Sequence, residues 1–181
     1  MSRLNEAIEM FREDFKPAKP IKAISEQGLD CLTDEWQAFF REVGIASRKD
    51  GFIWTVDPSD YAWLSEIFDL DMTPVARNSF ADFYMIDKAG TLYSFLPQYR
   101  QTDRVSSNAI LSIAALGTKS TTDDPETLKR HKIEMKAGHR TAYDTCYCLR
   151  PIIPLGGSEE ESELYVGDVK VYLELIAQAT S

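Results

Sequence analysis

Leu4, Ile8, Phe11 and Phe15 recur at helical spacing with Glu6, Glu9, Arg12 and Glu13 between them, so the chain opens on an amphipathic helix. Pro17 and Pro20 are expected to end it. A second helix is signalled by Thr33 as N-cap, Asp34 and Glu35 in the first turn, the apolar set Trp36, Phe39, Phe40 and Val43, and Gly44 at the C-terminal position. The period then changes. Residues 51–56 are rich in β-formers between a glycine and a turn and predict a strand. Asp57-Pro58 supplies a cap and a proline for the first helical position, ahead of an apolar face made by Tyr61, Leu64, Ile67 and Phe68. Residues 80–87 and 91–96, joined by Lys88-Ala89-Gly90, read as a β-hairpin.

Residues 98–107 are polar and show no apolar period, which predicts a linker or lobe boundary. The apolar run 109–116 is read as a strand, because Gly117 and the polar stretch 118–124 follow it closely. Asp124-Pro125 repeats the cap-plus-proline start and opens a basic helix through Leu128, Lys129, Arg130 and Ile133. A strand is expected over 146–154, then a Gly156-Gly157 turn, and last a helix capped by Asp168 that carries Val169, Tyr172, Leu173 and Ile176. No internal repeat is visible. The expected fold is α+β: two closely packed lobes joined near 98–107, each with a small antiparallel sheet and helices on it.

Composition narrows the function. With 181 residues, 44% of them apolar, the chain can bury a core without staples. No stretch approaches the roughly 20 apolar residues of a membrane helix, and Met1 to Glu6 lacks the apolar core of a signal peptide, so a cytoplasmic protein is expected. Cys31, Cys146 and Cys148 are odd in number and the close pair is spaced C-x-C, which points to reduced thiols. A net charge of −9 repels phosphate backbones, so direct nucleic-acid binding is not expected.

Candidate chemistry is sparse. His131 and His139 do not stand in zinc spacing with Cys146 and Cys148, so the histidines are placed on a solvated helix face and the cysteines in a strand as small apolar residues. No G-x-S-x-G elbow and no phosphate-binding G-x-x-x-x-G-K-[ST] loop occurs, so no catalytic residue and no cofactor is expected. Charge distribution says more. Residues 57–87 hold seven acids, Asp57, Asp60, Glu66, Asp69, Asp71, Asp82 and Asp87, against one base, Arg77. Glu159, Glu160, Glu161 and Glu163 form a second cluster in a predicted loop. Such clusters steer a basic partner, although charge runs are more often plain solvated faces. The candidate partner-binding set is therefore Asp57, Asp60, Asp69, Asp71, Asp82 and the four glutamates, with Trp63 and Tyr84 as candidate aromatic anchors.

Three stretches carry a family resemblance: Phe15-Lys16-Pro17-Ala18-Lys19-Pro20; Phe39-Phe40-Arg41-Glu42-Val43-Gly44 with Asp50-Gly51-Phe52-Ile53-Trp54-Thr55-Val56-Asp57-Pro58; and Pro74-Val75-Ala76-Arg77-Asn78-Ser79-Phe80. The chain resembles, over nearly its whole length, type VI secretion DNase-immunity proteins with an N-terminal GAD-like domain and a C-terminal immunity domain. Where that family tends to read Tyr-Gly-Phe-x-Pro-Ala-x-x-Leu-Gly-Gly, this chain has Tyr147-Cys148-Leu149-Arg150-Pro151-Ile152-Ile153-Pro154-Leu155-Gly156-Gly157. The resemblance implies a GAD-like domain over 1–100, an immunity domain over 101–181, and stoichiometric, non-catalytic binding of a cognate secreted nuclease toxin. The alternative is a non-catalytic GAD-type accessory module for tRNA or the translation machinery, against which the acidic charge argues.

Overall fold

The computed structural model describes residues 2–16 and 20–180. The first helix, α1 (Arg3–Phe15), is capped by the Ser2 hydroxyl and buries Ala7, Ile8, Phe11 and Phe15. It ends at Lys16, whose left-handed backbone (φ 49°) directs its N–H to the Arg12 carbonyl. Pro17, and with it part of the first resemblance stretch, lies outside the described residues. A short α2 (Glu26–Asp30) precedes α3 (Asp34–Val43), which buries Trp36, Phe39, Phe40 and Val43 as their spacing requires. Gly44 closes α3 at φ 67°, a backbone that favours glycine.

One antiparallel sheet follows in simple chain order: β1 (Ser47–Arg48), β2 (Ile53–Thr55), β3 (Thr73–Asn78), β4 (Phe83–Ile86), β5 (Leu92–Leu96) and β6 (Gln101–Arg104). The helix expected after Asp57-Pro58 is split into a 3-10 turn (Pro58–Tyr61) and α4 (Trp63–Phe68). The sequence pattern missed β3, which carries Pro74 beside a register shift and Arg77 at its far end. Residues 98–107 are not a linker. They hold the end of a 3-10 turn (Pro97–Tyr99) and the edge strand β6, paired with β5 from Tyr93↔Arg104 to Leu96↔Gln101.

Residues 109–116 are not a strand either. They form α5 (Ala109–Gly117), whose N-cap Asn108 accepts the Leu111 N–H at 3.0 Å. After α6 (Lys119–Thr122) comes α7 (Pro125–Lys136), begun by Asp124 as foreseen. A second antiparallel pair, β7 (Thr145–Arg150) with β8 (Glu163–Asp168), leads into α8 (Val169–Ala179), capped by Asp168.

Two apolar cores lie on opposite faces of the six-stranded sheet, as the alternation of β4 shows: Tyr84 and Ile86 enter one, Phe83 and Met85 the other. The first packs Phe11, Phe39 and Phe40 against Ile113 and Leu116 of α5. The second packs Trp54, Leu64 and Phe95 against Cys146, Cys148, Tyr172 and Ile176. The molecule is α+β, and each core draws on residues before and after position 100. Arg77 ties the halves together from the interior. Its guanidinium, fully buried, donates to the Ala142 and Tyr143 carbonyls at 2.7 Å, to Thr145 at 3.0 Å and to the Tyr61 hydroxyl at 3.2 Å.

Candidate functional site

A cavity of about 520 Å³ opens where the end of the sheet meets α7 and the loop before β8. Its floor comes from Tyr84, Ser94 and Leu96 on the sheet, one wall from Asn78, Phe80 and Asp82 in the β3–β4 turn, and the other from Asp124, Glu126, Thr127 and Arg130. Tyr99 and Glu159 close the rim. This volume falls in the range of small-ligand sites.

The β3–β4 turn is built to hold Asp82 there. The Asn78 side-chain oxygen accepts the N–H groups of Phe80 and Asp82 at 2.9 and 3.0 Å, and Ala81 takes a left-handed backbone, φ 64°. Asn78 Nδ2 donates to Asp82 Oδ2 at 2.8 Å, while Oδ1 has no partner among the described residues. Burial pushes the Asp82 pKa up to about 7; the Asn78 hydrogen bond and Arg130 work against this, and the charges of Glu159 and Asp124 add to it. Asp124 is partly occupied as the α7 cap, accepting from the Thr127 N–H and hydroxyl at 2.8 Å. Among the described residues Arg130 is the one base lining the cavity; it pairs with Glu159 at 3.2 Å and lies 5.1 Å over the Phe80 ring. Tyr99 donates to the other Glu159 oxygen at 3.0 Å.

The eleven expected contact residues therefore divide. Asp57 is a correction: it is buried, and its carboxylate accepts from the Ser25 and Ser59 N–H groups at 2.8 and 3.0 Å. Burial works to raise its pKa, but those hydrogen bonds and the two hydroxyls outweigh it and hold the group below the usual carboxylate range. It fastens α2 to the 3-10 turn and presents nothing to a partner. Asp60 is exposed but paired with Lys22, and Asp71 with Lys88. Asp69 ends α4 in a left-handed conformation. Trp63 is half-buried, donates to the Asp60 carbonyl at 2.9 Å and lies beneath the Lys170 ammonium. Tyr84 is no exposed anchor; it is buried and donates to the Thr121 carbonyl at 2.8 Å. Only Asp82 of the first cluster meets the second, through Glu159, and residues 77 positions apart thus share one cavity. Glu160 lines an adjoining groove across the Arg130–Glu159 pair, and Glu161 and Glu163 are exposed.

His131 is a second correction, since it is buried rather than on a solvated face. Its Nε2 donates to the Lys49 carbonyl at 3.1 Å, which leaves Nδ1 to accept from the Ser79 hydroxyl at 3.0 Å. Burial lowers the His131 pKa. A serine beside a histidine is the arrangement of a nucleophile and base, but Ser79 has no exposed surface and does not line the cavity, so the pair is structural. Cys146 and Cys148 are buried thiols in β7 with sulfurs 3.6 Å apart, and Cys31 is exposed; all three are free. Asp124, Glu126, Arg130 and Tyr99 were missing from the expected set. The only signal for them was local: a helix start for Asp124 and a basic helix for Arg130.

Fold and cavity together define an α+β protein with a carboxylate-lined pocket between a sheet end and a helix start. No protein-family model matches the chain, and no curated protein matches it. Among solved structures it is similar to the crystal structure of Atu4351 from Agrobacterium tumefaciens, at a TM-score of 0.71 and 15% identity, over 94% of this chain and 88% of that one. At that identity the likeness is one of fold.

Proposed function

We propose that the protein is a non-enzymatic immunity protein that neutralises a secreted nuclease toxin by binding it. The observation that carries the reading is that Asp82, Asp124, Glu126 and Glu159 line one cavity in which Arg130 is the only lining base among the described residues. A nuclease presents a basic surface to its nucleic acid, and a concave acidic face on an inhibitor both steers and receives such a surface. The net charge of −9 adds long-range attraction of the same sign. The resemblance of residues 39–44, 50–58 and 74–80 to DNase-immunity proteins supports the same reading. Asp57, Asp60 and Asp71 are occupied within the chain, which turns attention from the 57–71 surface to the cavity rim.

The test is co-expression with the product of the adjacent reading frame. Expected is a neighbour that degrades DNA and kills alone, is harmless with this protein present, and co-purifies with it in equal amounts. A harmless neighbour, or killing undiminished by co-expression, overturns the reading.

A further inference from the structure

Asp82 is an expensive residue to keep. A carboxylate pushed up to about 7 opposes folding at neutral pH, and no ion pair among the described residues reaches it. Its free oxygen, Oδ1, belongs to a side chain that lines the cavity. The cavity is far larger than the roughly 30 Å³ of a water molecule. Its carboxylates are spread around the walls rather than converging on a point, and among the described residues no three His, Cys, Asp or Glu side chains are grouped as a metal ion requires. Of the aromatic side chains that line it, Phe80 and Tyr99 keep exposed surface, while Phe83, Tyr84 and Tyr147 are buried. Spread carboxylates between aromatic faces suit a planar organic cation on an apolar stem. The cavity itself supplies an example, for Arg130 sits over Phe80 and pairs with Glu159. That one guanidinium leaves the Asp82 oxygen unanswered.

We infer that the cavity is a receptor for an alkyl-guanidinium group, with Asp82 Oδ1 as its acceptor and the Phe80 and Tyr99 rings beside its stem. The same head is carried by an arginine side chain of a protein partner and by a small free guanidine. The assignment goes beyond the immunity reading and stands without it; only the choice between the two sources rests on that reading.

The probe is agmatine, titrated calorimetrically into the whole protein. Expected is saturable binding at sub-millimolar concentration, weakened about tenfold or more in Asp82→Asn, as for loss of a charged hydrogen bond. Ser94→Phe, which fills the cavity from β5, should abolish binding, and the neutral pentylurea should not bind. Absence of binding at about 10 mM agmatine, a limit weaker than any useful site, or equal affinity in Asp82→Asn, overturns the assignment. A second titration is made with the adjacent-frame product bound. Loss of agmatine binding identifies an arginine of that partner as the occupant, and unchanged binding identifies a free guanidine. If agmatine binds while co-expression gives no protection, the immunity reading fails and the receptor stands.

Discussion

A carboxyl group whose pKa is raised on folding stabilises the folded state only while it keeps its proton. For Asp82 that contribution is complete below the unfolded value near 3.8 and is lost as pH rises through about 7. Asp82→Asn retains an acceptor for Asn78 Nδ2 and never ionises. The variant should therefore be more stable than the parent by up to roughly 4 kcal/mol at pH 8, with the gain shrinking towards zero near pH 4. Urea unfolding at the two pH values checks this, and a variant less stable at pH 8 would contradict it. A substitution that stabilises while weakening binding marks a residue kept for function. The charge of Asp82 was legible in the sequence, but its setting was not. The approach of Glu159 depends on how residues 83–158 fold between the two, and neither local pattern nor charge spacing encodes it. Asp57 failed as a contact for the opposite reason: a cap before proline was recognised, yet its second role, accepting from Ser25 across 32 positions, is a tertiary fact.

At the scale of elements, the sequence was clearest where one face is wet. α1, α3, α7 and α8 alternate buried and exposed sides, and the expected caps Asp124 and Asp168 make their hydrogen bonds, whereas the Thr33 side chain, expected to cap α3, makes none. It was misleading where that contrast vanishes. Residues 109–116 are apolar almost throughout, so period could not separate helix from strand, and Asn108 was the one signal for a helix start. β3 is buried along most of its length and contains Pro74, while β6 is exposed at all four positions, so neither shows alternation. α5 also explains Gly117. It packs so closely on α1 that a Cβ there would lie 2.8 Å from the Phe11 backbone. Gly117→Ala should push the two helices apart and cost about 1–3 kcal/mol, even though alanine favours helix. A urea midpoint equal to the parent's would show that α1 yields without loss.

For the whole molecule, both faces of a single sheet are covered by elements from beyond residue 100: α5 on one, β7 and α8 on the other. A fragment of residues 1–100 would bare Phe11 and Phe39 on one side and Trp54, Phe83 and Phe95 on the other. It should show neither a dispersed amide spectrum nor a cooperative thermal transition, whereas the full chain should unfold in one step. A well-dispersed fragment spectrum would establish an independent N-terminal unit. Among the described residues no helix is long and apolar enough to cross a membrane. The buried Arg77 adds a matter of timing. Its carbonyl acceptors lie 65 to 68 positions along the chain, so the loop they close is among the costliest in entropy. Until Ala142, Tyr143 and Thr145 arrive, its guanidinium needs water. The sheet around Arg77 thus stays hydrated until the C-terminal segment docks, and a ribosome must finish most of the chain before the interior can dry.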